Sequence, residues 1–324
     1  MKRKFILWPK ANSVVVEEGE LEAVNDHEVV VKNHYSAVSP GSESGWLASD
    51  VSHIVLGTTY PFIPGYSASG EIVEVGKDVK NYKVGDRVIC NNVYGCHASH
   101  LKTTEDHLFK IPDNVSYGDA VFFNLGMTSI HTVRLSKARM GESLAIVGQG
   151  PIGLMATQAA KACGCYPIVT LEFEEDRRKE SLKAGADISL DPRNSEEYNN
   201  LKTMLGGGAQ HVIDLSGTNP GMNQAIDIAG PLSTVCFSSA TMAPQTIDYG
   251  NFFIKGITLE AAFVNARMKE QYDDVNNFLL LTSRKQLTVP DYSNEIFEPE
   301  DAPDVYNRIL NKDRTLKNPI FKWC

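Results

Sequence analysis

The stretch that decides the fold is residues 143–164, "SLAIVGQGPIGLMATQAAKACG". It reads as a short apolar strand, a glycine-rich turn and a helix. Gly148, Gly150 and Gly153 stand in the GxGxxG spacing. Each glycine has its own task. The first makes the tight turn off the strand, the second lets backbone approach a pyrophosphate, and the third lets helix pack close to strand. The helix start then offers unpaired N–H groups and a positive dipole end to the phosphates. A lone GxGxxG is weak evidence, because any α/β protein can carry a glycine-rich loop. Here a second strand, "PIVTLEF", follows and ends in an acid. That acid, Glu172, lies 24 residues after Gly148, near the offset of about 20 expected of the carboxylate that binds the adenosine ribose. A carboxylate there repels a 2′-phosphate, and Glu174 and Glu175 add charge, so NAD is favoured over NADP. Arg177 and Arg178 are the counter-signal: they reach an adenine face or a phosphate, or form a solvated helix face.

Working outward, the texture changes twice. Residues 1–117 hold short alternating runs, "EVVVKNHYSAVSP", "GEIVEVG", "GDRVICNNV" and "HLFKIPD", broken by Gly, Pro and Asp. They predict a compact β-domain. Residues 118–263 alternate strand and helix: "EDRRKESLKAGA" is an amphipathic helix, "HVIDLSG" a strand, "PGMNQAIDIAG" a helix, "LSTVCFSS" and "GITLEAAF" strands. Repeated βα units predict a doubly wound parallel sheet. "LDPRNSEEYNN", the one weak linker candidate, reads as a surface loop and helix start. Residues 264–324 predict a long helix, "ARMKEQYDDVNNFLLLTSRKQ", then strand, helix and a last strand "NPIFKWC".

The chain of 324 residues is long enough for one large or two ordinary domains. Its composition, 42% hydrophobic and 22% charged, is that of a soluble globular protein. A net charge of −9 argues against a nucleic-acid backbone or an anionic membrane as partner. No apolar run reaches the roughly 18–20 residues of a membrane span. Six scattered cysteines contain no CxxC pair, so neither a zinc ribbon nor a disulfide framework is suggested, and a reducing cytoplasm fits.

The order of parts, a β-rich domain, a nucleotide-binding unit and a returning tail, resembles the medium-chain dehydrogenase/reductase (alcohol dehydrogenase-like) superfamily. The resemblance covers nearly the whole chain. It also rests on "PGYSASGEIVEVGKDVKNYKVGDRV", "SLKAGAD", "HVIDLSG" and "FFIKGITLEAAF". It implies an α/β chain made of a GroES-like β-rich catalytic domain and a Rossmann doubly wound parallel sheet. The wording "AVSPGSE" is similar to a zinc-lacking branch that includes bacteriochlorophyllide 2-hydroxyethyl dehydrogenase-type members. That branch oxidises secondary alcohols or reduces ketones.

The resemblance also locates the family's metal positions, and they have changed. Where zinc members carry Cys before Gly-Ser-Asp, this chain has Pro40 before Gly41-Ser42-Glu43. The His-Glu pair is Tyr66-Ser67, and the third ligand position falls near Asn124. Pro has no side-chain donor, and Tyr and Asn are poor zinc ligands. No metal is expected. The rival cluster Cys96, His97, His100 and His107 is read as a strand with surface or cleft histidines.

Without a Lewis acid, hydrogen-bond donors must stabilise a developing alkoxide. Tyr66 is the first candidate, as general acid or base if its pKa is lowered; the alternative is a ring that fills the space of a metal. Ser39, Ser42 and Ser67 are candidates to donate or relay protons. Asn124 is a candidate to bind a substrate oxygen or the nicotinamide ribose, and His34 to finish a relay. Glu43 is expected to hold the loop. The cofactor set is Gly148, Gly150, Pro151, Ile152, Gly153, Glu172, Arg177, Thr128 and Ser216. The expected function is a zinc-independent, NAD-dependent oxidoreductase acting on a secondary alcohol or ketone, small and polar or sugar-like. An enone or quinone reductase and a non-catalytic nucleotide-binding module are the alternatives. The strand "GITLEAAF" suggests a homodimer by sheet extension.

Overall fold

The computed structural model describes residues 1–50, 59–92, 94–239, 241, 243–266, 268–313 and 315–324. The chain divides into two compact units, Met1–Asn124 with Asp291–Cys324, and Leu125–Pro290.

The second unit is built on a six-stranded sheet whose strands pair in parallel throughout. From edge to edge it runs Ile188–Leu190, Ile168–Leu171, Leu144–Val147, Ala209–Asp214, Ala229–Phe237, Thr258–Ala261. In chain order that is 3-2-1-4-5-6, the doubly wound order whose switch point lies between the first and fourth strands. The central strands "LAIV" and "IVTL" are buried at every position, as covering helices on both faces require. One side of the sheet packs Val147, Leu171, Val212 and Val235 against Leu201, Ala225 and Ile226 of the helices Ser195–Met204 and Asn219–Ile228. The first of these helices grows from the expected linker. Asn194 caps it by accepting the Glu197 N–H, and Leu201 buries itself in the core.

In the first unit the strand Glu28–Ala37 is the hub. It pairs antiparallel with Ala68–Val75, His100–Thr104 and the C-terminal strand Ile320–Lys322. A bulge lies between Asn33 and Tyr35. Arg87–Cys90 and Leu108–Lys110 extend the sheet on one side. Its apolar cluster joins Trp8, Trp46, Leu47, Tyr306 and Phe321, so the tail completes this core.

The unit boundaries differ from the expected 117/118 and 263/264, and packing gives the reason. Ser67 Oγ donates to the Val121 carbonyl and Ser69 Oγ to that of Tyr117, which ties residues 118–124 to the first unit. The helix Met268–Ser283 buries Val275 and Phe278 and joins Asp274 to His131 at 2.8 Å, which ties it to the second. No described helix is long and apolar enough to cross a membrane.

Candidate functional site

The glycine-rich turn takes the form its spacing requires. Gly148 leaves the strand at φ +90°, with its N–H bonded to the Leu171 carbonyl at 2.9 Å. A Cβ on Gly153 would stand 2.2 Å from the Gly148 carbonyl oxygen, so only glycine lets the helix Pro151–Ala162 start this close to the strand. Around Gly150 the situation is the reverse: a Cβ there would meet nothing within 4 Å. Gly150 is also the N-cap, and no side chain caps the helix. Pro151 and Ile152 occupy the first turn, where missing or unpaired N–H groups are expected.

Glu172 follows the adjacent strand and is 7% exposed. One carboxylate oxygen accepts the Gln149 N–H at 2.8 Å and the other the Glu174 N–H at 3.0 Å. The acid is thereby fixed beside the turn. Arg177 lies 3.9 Å from it. Arg178 is spent otherwise, donating to the Glu172 and Phe173 carbonyls. Ser216 wedges against the turn: a Cβ on Gly148 would meet its backbone N at 3.1 Å. Its own N–H is held by Asp214 Oδ1 at 3.0 Å. Thr128 lies within the helix Phe123–Leu135, where its carbonyl accepts the Thr132 hydroxyl. Open space before Gly150, an uncapped helix start and a fixed carboxylate on the neighbouring strand fit a dinucleotide. Gly148, Gly150 and the first helical turn would hold its pyrophosphate, and Glu172 its adenosine ribose.

The first unit holds the other candidates. Pro40 opens the helix Pro40–Ala48 behind Ser39 as N-cap. The Ser39 side chain makes no cap bond; with that of Ser42 it lies near the Tyr66 hydroxyl. The structure thus brings Ser39, Ser42 and Tyr66 together. Tyr66 packs on Trp46 with ring centroids 5.6 Å apart. Burial pushes its phenol up to about 12, the nearby Ser39 and Ser42 hydroxyls oppose the rise, and the negative charge of Glu43 adds to it. That is opposite to the lowering a general base needs. Tyr66 is a neutral hydrogen-bond donor.

The remaining expectations fare differently. Ser67 is 3% exposed and its proton goes to the Val121 carbonyl at 2.5 Å, so it ties backbone together rather than relaying protons. His34, at the bulge, stacks face to face on Tyr117 at 4.0 Å, and Arg87 also lies over that ring. Burial, then the charge of Lys32, lowers its pKa. Its ring makes this stack, not a relay to Tyr66. Asn124 lies in the first turn of its helix.

The positions where the family carries zinc do not fit that metal. Pro40 offers no donor, the Tyr66 phenol is a poor zinc ligand, and the Ser67 proton is committed. The rival cluster does not converge either. Cys96 Sγ turns to the Cys90 carbonyl, His97 to Ser36 and Glu43, His100 to Ser99, and His107 to the Asn91 carbonyl. Among the described residues, no group of three or more His, Cys, Asp and Glu side chains is arranged to hold a metal. What the sequence did not reveal is the set of partners around His97. Ser36, Tyr306 and Trp323 come from opposite ends of the chain, and no spacing links them.

Residues 25–128 match the family model described as alcohol dehydrogenase GroES-like domain, and residues 151–280 the one described as zinc-binding dehydrogenase. The chain is 30% identical over 290 residues to (R,R)-butanediol dehydrogenase of Bacillus subtilis (strain 168), covering 78% of this chain and 84% of that one. It is 29% identical over 278 residues to sorbitol dehydrogenase of the same organism, covering 76% and 78%. The crystal structure of 2R,3R-butanediol dehydrogenase from Bacillus subtilis covers 99% of each chain, with a TM-score of 0.82 and 23% identity, a likeness of fold. The chain belongs to the alcohol dehydrogenase-like medium-chain dehydrogenase/reductase superfamily.

Proposed function

We propose that this chain is a zinc-independent, NAD-dependent oxidoreductase that interconverts a secondary alcohol and its ketone. The observation that carries the reading is Tyr66: a phenol with Ser39 and Ser42 near its hydroxyl, in a position that the resemblance sets against a zinc ligand of the family. When bound, the nicotinamide supplies or accepts the hydride. The chain must then meet the charge that grows on the substrate oxygen. The Tyr66 hydroxyl, with Ser39 and Ser42 near it, offers its proton to that oxygen. A phenol pushed up to about 12 keeps this proton at neutral pH. It serves carbonyl reduction as donor and serves alcohol oxidation poorly as base.

Glu172, with Glu174 and Glu175 beside it, supports NAD over NADP by like-charge repulsion of a 2′-phosphate. Relatives named for butanediol and sorbitol support a small polar substrate, a vicinal diol, hydroxyketone or polyol. Turnover with both nucleotides on a panel of ketones, alcohols, enones and quinones tests the reading, with metal content measured on the same active protein. Reduction of a ketone by NADH, lost by about 10²- to 10⁴-fold in Tyr66→Phe, is the expected result. Stoichiometric zinc, or full turnover of Tyr66→Phe, removes it. We also propose a homodimer through Thr258–Ala261, the terminal strand of the parallel sheet. Tyr249, Phe253 and Ile254 just before it are exposed. Sedimentation of a monomer would refute that assembly.

A further inference from the structure

Beneath Tyr66 lies a buried polar network that the reaction scheme above does not use. His97, Glu43, Ser36 and Tyr306 are all 0% exposed. Glu43 Oε2 accepts from Tyr306 Oη at 2.5 Å and pairs with His97 Nε2 at 3.2 Å. Its other oxygen, Oε1, accepts the Ser39 N–H at 3.0 Å. On the far side of the ring, His97 Nδ1 lies 2.7 Å from Ser36 Oγ, which accepts from Trp323 Nε1 at 2.8 Å. The indole N–H can only donate. A single run of donors therefore satisfies the chain: Trp323 to Ser36, Ser36 to His97 Nδ1, His97 Nε2–H to Glu43. Phe321 and Tyr306 meet the His97 ring edge-on.

Two routes lead from this network to Tyr66. The first passes through the backbone next to it. A Cβ on Gly65 would stand 2.6 Å from His97 Cγ, so the imidazole lies directly against the residue before Tyr66, which adopts φ +86°. The His97 N–H also bonds the Pro64 carbonyl, and the Cys96 N–H that of Gly65. The second route is the turn. Glu43 grips the backbone of Ser39, whose side chain lies near the Tyr66 hydroxyl. A buried carboxylate with an imidazole, a phenol and an amide as partners is costly to disturb, because any lost partner leaves a buried charge short of bonds.

We propose that Glu43 and His97 are positioning residues for Tyr66. They fix its backbone through Gly65 and its hydroxyl through Ser39, with Ser36, Tyr306 and the C-terminal Trp323 holding the pair in register. This rests on the reading of Tyr66 as the proton donor, and the test separates the two. Uniform labelling with 3-fluorotyrosine gives one fluorine resonance per tyrosine, and the one missing in Tyr66→Phe belongs to Tyr66. In Glu43→Gln and His97→Asn that resonance shifts or splits, while those of Tyr166, Tyr198 and Tyr249 in the other unit stay in place. Tyr306→Phe, which keeps the carboxylate and most of the packing, moves it less and covers the case in which the stronger variants fail to fold. On the carbonyl found by the panel, Glu43→Gln lowers kcat by roughly 10- to 100-fold with KM changed by less than about threefold. In a Tyr66→Phe background it adds nothing further. A Tyr66 resonance unmoved in every folded variant overturns the proposal, and so does a loss of turnover that adds fully to that of Tyr66→Phe. A moved resonance with full turnover of Tyr66→Phe upholds the positioning and removes the catalytic reading.

Discussion

Replacing either of two neighbouring glycines with alanine should separate folding from nucleotide binding. At Gly153 the new methyl stands 2.2 Å from the Gly148 carbonyl oxygen and 3.1 Å from its carbon. Both are backbone atoms, so no side chain can swing away. The helix start must retreat by about 1 Å to reach a C···O contact of roughly 3.3 Å. Such overpacking costs about 1–3 kcal/mol, against which alanine's better helix propensity returns up to about 1 kcal/mol. The expected net loss is roughly 1–2 kcal/mol, or several degrees in the unfolding midpoint. A retreat of this size also misplaces the N–H groups of the first turn and weakens NADH by roughly 10- to 100-fold. At Gly150 the methyl meets nothing within 4 Å, and the backbone at φ −70° accepts any residue. The lost glycine N-cap and the gain from a less flexible unfolded chain nearly cancel, each being about 0.5–1 kcal/mol. Gly150→Ala should therefore melt like the parent. Its methyl occupies the space reserved for a pyrophosphate, so NADH binding falls by at least about tenfold. Thermal melts without ligand and NADH fluorescence titrations measure both. Tight NADH binding by Gly150→Ala would refute the assignment of that space. A Gly153→Ala variant of parental stability would refute the packing argument.

Other perturbations give equally definite outcomes. Glu172→Ala removes a charged acceptor and should weaken NADH by roughly 10- to 100-fold, with a smaller effect on NADPH; equal losses for both would refute its role at the ribose. Asp274→Ala strands His131 and Arg134, and should destabilise the second unit by about 3–5 kcal/mol in chemical unfolding, because Asp274 and His131 are both 0% exposed. Asp227 gives a pH prediction. Desolvation pushes its carboxyl up, but hydrogen bonds from Tyr198 and Lys202 win and hold it below the usual value. A depressed folded pKa contributes stability above the unfolded value and loses it as pH falls through the folded one. Asp227→Asn should therefore flatten the acid side of the stability profile, below about pH 4. An unchanged acid limb would refute the coupling.

Much of the nucleotide half was legible because its constraints are local. The glycine spacing is set by one turn, and Glu172 is placed by the length of one βα unit. Burial on both faces makes "LAIV" and "IVTL" apolar throughout. The small strand Ile188–Leu190 and the helix Ser195–Met204 were less legible. A three-residue strand has no period, and the helix begins among polar residues whose capping role at Asn194 shows only once Leu201 is known to be buried. The return of the tail to the first unit was readable in outline. Its boundary was not, because nothing in the pattern of Met268–Ser283 says which unit receives Val275 and Phe278.

For the first unit, residue types and their order are enough for the resemblance to set Pro40, Tyr66, Ser67 and Asn124 against the ligand positions of the family's zinc members. Only the tertiary structure decided what those residues do. The Ser67 proton went to a carbonyl and His34 to a stack on Tyr117, while Ser39 and Ser42 came near the Tyr66 hydroxyl. The upward push on the Tyr66 phenol followed from burial and the Glu43 charge, which lie in no local spacing. His97 read as one member of a doubtful cluster until Ser36, Tyr306 and Trp323 arrived beside it from both ends of the chain. A hydrogen bond is made over a few ångströms in space, and residues 263 and 287 positions apart, as Tyr306 is from Glu43 and Trp323 from Ser36, meet only when the sheet closes on its C-terminal strand.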